Sequence, residues 1–273
     1  MNRMLTLFAV LSAMALMSSS GNAQNLLLNG NLNATTQVGD PAIYYPEPTS
    51  WTLTTDPCST FPCAIVRFPG NPAPFAEHAN PGAPGTNGIL FNSTEGNFPG
   101  FPDVLTVDAE IKQSVAGTPG VPYKMTGWAY FEGGYAGGVD NLSPLAPAPR
   151  GGQPSLTDTF FALEFLGAGD VVLPGSVQIE LKEAGQVNNP SADDSTPELR
   201  APFWKQHTLM GVAPAGTLKV QVRAAMVDGE FNVDMPHQAA WVDDFELTIV
   251  PEPASWFLGL LGLGLAGAVR RRG

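Results

Sequence analysis

The chain has 273 residues and a formal net charge of −12, and four of its 13 basic residues are arginines at the two ends. The region between those arginines carries nine basic residues against 25 acidic ones, which gives a net charge near −16. This charge argues against nucleic-acid binding and against an anionic membrane surface as a partner, because no basic patch is available, whereas it suits solubility and divalent cations.

Residues 1–23 have the pattern of a secretory signal peptide. Arg3 precedes an apolar run over residues 4–17, and small polar residues follow it. Gly21 and Ala23 then occupy the −3 and −1 positions of an A-x-A-like cleavage site. We therefore predict that signal peptidase cuts after Ala23 and that the rest of the chain is exported.

Cys58 and Cys63 are the only cysteines, and they bracket the sequence Ser-Thr-Phe-Pro. Export into an oxidising compartment favours a disulfide between them. The C-x-x-C redox spacing is absent, and two cysteines without a nearby histidine make a poor zinc site. We predict a small surface disulfide, whose short loop gives only modest stabilisation.

The body of the protein, residues 24–249, is rich in glycine and proline and shows no long stretch of helical periodicity. Seven segments have strand character: Val104–Val115, Tyr123–Phe131, Phe160–Leu166, Ser176–Leu181, His207–Val212, Thr217–Val227 and Ala239–Ile249. Three segments are predicted as long loops: Phe68–Gly88, Gly133–Pro154 and Gln186–Pro197. The sequence predicts a single all-β domain without internal repeats.

Alternation within these segments predicts which residues face a core. In Tyr123–Phe131 one face carries Tyr123, Met125, Gly127, Ala129 and Phe131, and the other carries Lys124, Thr126, Trp128 and Tyr130. Further along, one face carries Leu218, Val220, Val222, Ala224 and Met226, and the other carries Lys219, Gln221 and Arg223. Phe161, Leu163 and Phe165 join the core and leave Phe160 and Glu164 opposite. One apolar face per strand is what a two-sheet β-sandwich requires.

The faces opposite the core supply a candidate glycan-binding surface. Trp128 and Tyr130 are predicted to stack on sugar rings, and Glu164, Gln221 and Arg223 to bond sugar hydroxyls. Binding sites combine flat apolar area with a few aimed polar groups in this way. The alternative is that the two aromatic side chains only pack beneath the loop that follows their strand.

The chain ends with Pro251-Glu252-Pro253, an uncharged apolar run over residues 254–269, and Arg270, Arg271 and Arg272. A helix of that length spans ~24 Å, slightly less than a ~30 Å hydrocarbon core. The arginines would stay in the cytoplasm by the positive-inside rule. We predict a transmembrane helix rather than a buried core helix, because the run has no polar stripe.

The combination of Pro-Glu-Pro, apolar helix and arginine cluster resembles the PEP-CTERM sorting signal of Gram-negative bacteria. The resemblance covers residues 250–273, hereafter the tail. It implies recognition by an exosortase, a membrane cysteine protease-transpeptidase that cuts near the Pro-Glu-Pro and passes the body towards the cell surface. It assigns no function to the body.

The order of motifs along the body resembles galactose-binding-like jelly rolls, especially carbohydrate-binding modules of the CBM4/9 type. The motifs are Asn25–Asn33, Ile111–Val115, Pro119–Ala129, Leu163–Phe165, Trp204–Thr208, Pro214–Val220 and Trp241–Leu247. The resemblance implies an all-β jelly-roll β-sandwich with long loops. The opening departs from the family, which usually has an aromatic residue and a glutamate where Leu32 and Asn33 stand here.

The same resemblance implies a structural calcium ion shared by the first strand and the closing aspartates. Asn33 and Asp243 are the matching positions, and Asp244 is a possible substitute. Oxygen ligands suit this hard cation. The alternative is an ordinary acidic surface in which Asn33 caps a turn.

Catalysis has little support in the sequence. H-E-x-x-H, G-x-S-x-G and P-loop motifs are absent, and nothing in the spacing selects Glu164 and Glu180 as a carboxylate pair. We therefore predict a non-enzyme: an exported, exosortase-sorted protein, anchored in the inner membrane and then passed to the cell surface or matrix, with a glycan-binding sandwich. Its partners would be signal peptidase, exosortase and extracellular polysaccharide. The alternative is a structural exopolysaccharide or biofilm matrix protein without a small ligand site.

Overall fold

The computed structural model describes residues 24–36, 47–55, 88–92, 106–137, 155–189, 201–230 and 239–250. Several predictions lie outside these residues: the signal peptide, the disulfide between Cys58 and Cys63, most of the three long loops, and the tail beyond Val250. Within the described part of the chain, no helix is long and apolar enough to cross a membrane.

The described residues form eleven β-strands: β1 (Thr35–Thr36), β2 (Glu47–Pro48), β3 (Thr52–Thr55), β4 (Ile89–Asn92), β5 (Val107–Ala116), β6 (Pro122–Phe131), β7 (Asp158–Leu166), β8 (Val177–Glu180), β9 (Lys205–Val212), β10 (Lys219–Gly229) and β11 (Ala239–Ile249). Two short 3₁₀ helices cover Ala168–Asp170 and Ala201–Phe203. All seven predicted strands are confirmed, with ends shifted by no more than three residues. The four additional strands, β1 to β4, have two to four residues each.

The strands form two antiparallel sheets that pack face to face, which confirms the all-β jelly-roll sandwich. The five-stranded sheet has the order β3-β5-β10-β7-β8, and the four-stranded sheet has the order β4-β11-β6-β9. β1 and β2 form a separate two-stranded ribbon. The last strand, β11, lies inside its sheet between β4 and β6.

The core lies between the sheets and follows the predicted alternation. The inward residues of β6, β7 and β10 are buried as expected, and the Phe245 ring of β11 packs against Trp51 and Phe161 at centroid distances of 5.3 Å. The prediction that Leu218 faces the core is wrong, since its side chain is 57% exposed. β10 begins at Lys219, so position 218 lies beyond the end of the core.

The N-terminal segment, residues 24–34, is hydrogen-bonded to β11. The Leu26 amide donates to the Leu247 carbonyl at 2.8 Å, and the Phe245 amide donates to the Gly30 carbonyl at 2.8 Å. β11 carries a bulge between Asp243 and Glu246 at this point, with Asp244 in the left-handed region at φ 48°. The first and last parts of the body are therefore joined at one place in the fold.

The two ends of the sandwich differ. Short turns close one end, which we call the tail-side end and define by residues 116–124, 166–177, 210–219 and 248–250. Val250 leaves from it, with its amide donating to the Pro122 carbonyl at 2.9 Å. Cross-strand pairs such as Asn92 with Ala239 and Val107 with Gly229 mark the other end, the loop-side end. The ends of β4, β6 and β10 and the starts of β5, β7 and β11 lie there.

Candidate functional site

Trp128 lies on the outer face of the four-stranded sheet. It is on β6, opposite Asp243 of β11 and Gln206 of β9. The indole is partly exposed, and one side of it packs against an aromatic cluster. That cluster consists of Leu90, Tyr130, Trp204, Ala239 and Trp241. The packing supports the ring without covering it.

The exposed side of Trp128 lines an open cleft of about 290 Å³. The lining residues are Asn25, Asn31, Thr126, Trp128, Gln206, Asp244, Phe245 and Glu246. The cleft lies where the N-terminal segment crosses the β11 bulge. The segment and the bulge form one side of the cleft, and the outer face of β6 and β9 forms its floor. An indole surrounded by amides and carboxylates offers a stacking surface together with donors and acceptors for hydroxyl groups.

Tyr130 does not share this cleft, although it lies on the same face of β6. Its side chain is fully buried. The Asn189 side-chain amide donates to its hydroxyl at 3.0 Å, and the Trp204 ring lies 5.6 Å from its ring. The proposed stacking role of Tyr130 is therefore corrected to a packing role, because residues following β8 and preceding β9 cover it.

Glu164, Gln221 and Arg223 lie close together, but on the other sheet. They lie on the outer face of β7 and β10, whereas Trp128 lies on the outer face of the opposite sheet. The expectation of one surface that combines these polar groups with Trp128 is wrong. Alternation along a strand predicts whether a residue faces the core or the solvent. A sandwich has two solvent-facing sheet faces, and alternation does not predict on which of them a residue lies.

On that second face the three side chains form a hydrogen-bonded network. Arg223 donates from Nη2 and Nε to Glu164 Oε1 at 2.7 and 3.0 Å, and Gln221 donates to Glu164 Oε2 at 2.5 Å. Arg223 also reaches Glu110 at 3.3 Å and lies 4.7 Å from the centre of the Phe160 ring. The groups are thus bonded mainly to one another.

The predicted calcium ligands are placed as follows. Asp243 is fully buried, and its Oδ1 accepts the Asp244 amide at 2.7 Å. Asn33 is partly exposed, and its amide makes a long 3.4 Å contact with Asn31 Oδ1. Among the described residues, no three histidine, cysteine, aspartate or glutamate side chains converge as a metal site would require. The side chains present do not build a carboxylate-rich cage, and calcium binding stays a prediction.

Glu164 and Glu180 do not form a close carboxylate pair. Glu180 is opposite Phe160, four residues from Glu164 along β7, which corresponds to a separation of ~13 Å. Repulsion from the Asp158 carboxylate raises the pKa of Glu180, with a smaller effect of burial. The largest electrostatic effect on Glu180 therefore disfavours its ionised form.

Two buried groups near the cleft have structural roles that the sequence did not indicate. Glu132, at the end of β6, accepts the Trp241 indole N–H at 3.0 Å and the Ala239 amide at 2.8 Å. His207 is buried against Phe161 and bonds Gln186 Oε1 at 3.0 Å. Burial, with a smaller effect of Lys205, lowers the pKa of His207 to about 4.

Trp128 was predicted to bind a glycan and Thr126 to share its face of the strand, whereas the other cleft residues were not predicted as ligand-binding groups. The outward position of Gln206 could have been predicted, because the alternation of His207–Val212 extends back to residue 206 and puts its side chain on the solvent-facing side of the strand. Asn25, Asn31, Asp244 and Glu246 were not predicted to bind a glycan, although the resemblance brings the first strand and the closing aspartates together. Their positions in the cleft depend on the bulge and on the N-terminal segment that crosses it.

Comparison with known proteins identifies the tail. A model of the PEP-CTERM protein-sorting motif matches residues 250–272, which confirms the predicted resemblance of this segment to that sorting signal. The motif implies export and a C-terminus held in the membrane before sorting. No curated protein matches the sequence.

Solved structures similar to the chain include carbohydrate-binding modules. TmCBM61 in complex with β-1,4-galactotriose is 12% identical, with a TM-score of 0.41, over 84% of this chain and 100% of that one. A CBM4 module is 11% identical, with a TM-score of 0.36, over 82% and 99%. The enzymatically active domain of tailspike protein 4 from bacteriophage CBA120 is 10% identical, with a TM-score of 0.45, over 83% of this chain and 21% of that chain. These similarities identify no ligand for this chain.

Proposed function

We propose that this protein is an exported, non-catalytic glycan-binding protein that an exosortase sorts from the inner membrane to the cell surface or extracellular matrix. The sorting part of the proposal is supported by the PEP-CTERM motif at residues 250–272. The binding part is supported by one observation, the partly exposed Trp128 ring in an open cleft lined by amides and carboxylates.

The chemistry of the cleft suits a neutral sugar chain. The apolar C–H face of a pyranose ring can stack on the Trp128 indole, while Gln206 and Glu246 present hydrogen-bonding groups beside it. Glu246 and Asp244 would disfavour anionic sugars such as uronic acids through like-charge repulsion. We therefore place the ligand among uncharged polysaccharides.

Two glutamines on opposite sheets give a matched test. Gln206→Ala removes an amide from the cleft, and Gln221→Ala removes one from the outer face of the other sheet. We expect Gln206→Ala and Trp128→Ala to reduce retention on affinity gels that contain neutral polysaccharides, and Gln221→Ala to leave retention unchanged. Stacking losses of about 1–3 kcal/mol, by analogy with base–aromatic stacking, correspond to roughly 5- to 150-fold in affinity.

The competing function is a structural matrix protein without a small ligand site. It is favoured by the burial of Tyr130 and by the closed Glu164 network, since both show predicted ligand groups used within the fold. A glycan array separates the two functions. Absence of saturable binding by the wild-type protein, or equal retention of the Gln206 and Gln221 variants, would favour the structural protein.

A further inference from the structure

Exposed apolar side chains gather at the tail-side end of the sandwich. Nine large hydrophobic residues among those described are exposed, and six of them lie at this end. They are Val171, Val172, Met210, Val212, Leu218 and Ile249, with exposures between 45% and 61%. Concentrated exposed apolar surface marks an interaction site more often than scattered single residues do.

The backbone connects these six residues around the end. Leu218 donates its amide to the Leu166 carbonyl at 2.8 Å, and Val172 bridges to the same Leu166. On the other sheet, Val212 pairs with Pro122, and Ile249 precedes Val250, whose amide bonds the Pro122 carbonyl. The apolar residues of the two sheets thus lie along one rim.

The charge of this end differs from that of the molecule. Its four segments contain three charged side chains, Lys124, Lys219 and Asp170. Lys219 and Asp170 form an exposed ion pair at 2.7 Å, and Lys124 lies opposite Met210. A net charge of about +1 here contrasts with −12 for the chain. The acidity that argues against membrane contact elsewhere on the body is therefore absent from this end.

The chain also leaves the body at this end, close to the apolar run of the tail. Three residues, Pro251-Glu252-Pro253, separate the hydrogen-bonded Val250 from residue 254. Val250 and residue 254 are four Cα–Cα steps apart, which reach ~14 Å at most when the chain is extended. If the tail spans the membrane, this tether holds the rim within about that distance of the lipid headgroups, which gives a very high effective concentration.

We propose that the tail-side end is a membrane-contact surface that rests on the outer face of the inner membrane while the tail is uncut. The inference rests on the proposed anchoring of the tail. The apolar rim enters the headgroup layer, and Lys124 and Lys219 lie near the anionic lipid phosphates. The contact fixes the orientation of the body relative to the membrane. Cleavage near Pro251-Glu252-Pro253, the residues that link the body to the apolar run, releases the body from the membrane.

The test uses the full chain in nanodiscs of phosphatidylethanolamine and phosphatidylglycerol, selected for one chain per disc. Hydroxyl-radical footprinting reports the exposure of Met210, Val212 and Leu218, with Leu156 at the loop-side end as the internal reference. We expect the three rim residues to be labelled several-fold more slowly in discs than in the detergent-solubilised chain, and Leu156 to be labelled equally in both.

A matched pair of variants tests the cause of the protection. Leu218→Glu places a charge on the rim, and Leu156→Glu places one on an exposed leucine remote from it. We expect Leu218→Glu to restore labelling of Met210 in discs and Leu156→Glu to leave it protected, with both variants melting like the wild type.

Three outcomes overturn the proposal. If the rim residues and Leu156 of the disc-bound wild-type chain show the same change in labelling relative to detergent, the membrane contact is absent. Protection that appears only with two chains per disc overturns it in favour of a second copy. Failure of the chain to copurify with discs removes the anchoring itself and, with it, this inference.

Discussion

Trp128 and Tyr130 are two residues apart on β6, but they lie in different environments. The Trp128 ring is partly exposed in the cleft, whereas Tyr130 is fully buried and bonded to Asn189. Replacing Tyr130 by alanine leaves a cavity beside Trp204 and removes a buried hydrogen bond. We expect Tyr130→Ala to lower the free energy of unfolding by about 3–5 kcal/mol and Trp128→Ala to lower it by clearly less.

Urea denaturation of both variants measures this difference. Tyr130→Phe serves as the control, because it keeps the ring and removes only the hydroxyl that accepts from Asn189. We expect it to cost about 1–2 kcal/mol. A Trp128→Ala variant as unstable as Tyr130→Ala would show that both rings belong to the packed interior, and would count against the cleft as a stacking site.

His207 gives the protein a predictable sensitivity to mild acid. Its pKa is about 4 in the fold and ~6.5 in an unfolded chain, because burial disfavours the charged imidazolium. The Gln186 side chain donates to the Phe203 carbonyl, so its oxygen accepts from a neutral His207 that carries its proton on Nε2. The contribution to stability is complete above pH ~6.5 and is lost as the pH falls towards 4.

The expected loss between pH 7.5 and 4 is about 2–3 kcal/mol in the free energy of unfolding. His207→Gln cannot titrate, so the same fall in pH should cost it less than it costs the wild type. The difference between the two urea midpoints at each pH isolates this residue from the carboxylates. Parallel pH profiles would contradict the assignment of the buried, neutral imidazole.

At the scale of elements, the crossing of the N-terminal segment over β11 depends on a glycine. A Cβ atom at position 30 would lie 2.2 Å from the Phe245 carbonyl oxygen, and backbone cannot move aside as a side chain can. We expect Gly30→Ala to destabilise the protein by about 3 kcal/mol or to detach the segment. Hydrogen exchange should then accelerate at the Leu26 and Phe245 amides, whose bonds hold the crossing.

Gly120→Ala is the comparison for this variant. Gly120 has φ 79°, and no atom lies within 4 Å of the position that an alanine methyl group would take there. Its substitution therefore carries only the left-handed backbone penalty of ~1–2 kcal/mol. Similar losses at both positions would mean that the Gly30 crossing is not tightly packed. Because Asn25 and Asn31 line the cleft, detachment of the segment should also weaken polysaccharide retention.

The elements that could be predicted from sequence are those with long alternation. Strands such as β6 and β10 have ten and eleven residues, and their inward faces follow period two. β3 and β4 have four residues each, too few for a period to be seen. The placement of Trp128 apart from Glu164, and the cover over Tyr130, could not be predicted, because they depend on the partner sheet and on contacts across 59 residues of sequence.

For the whole molecule, the tail should govern where the protein goes without affecting how it folds. Changing Pro251-Glu252-Pro253 to three alanines leaves every described strand intact, since β11 ends at Ile249. In a host with an exosortase we expect the variant to keep its full tail, because the motif at residues 250–272 is altered where cleavage is expected. Intact-mass measurement and mapping of the C-terminal peptide detect this.

The control is a substitution that spares both the motif and the apolar rim, such as Leu156→Ala at an exposed position of the loop-side end. It should be processed like the wild type. Identical processing of the triple-alanine variant would show that the Pro-Glu-Pro sequence is not the determinant that the exosortase reads.

The position of β11 also sets an order of events in time. This strand lies between β4 and β6, and the N-terminal segment bonds to Leu247 within it. The four-stranded sheet therefore cannot close, nor can residues 24–30 dock, until position 249 has been synthesised. If the chain is exported as proposed, a chain arrested before Ile249 therefore presents an unclosed sheet to the proteases of the compartment that it has entered.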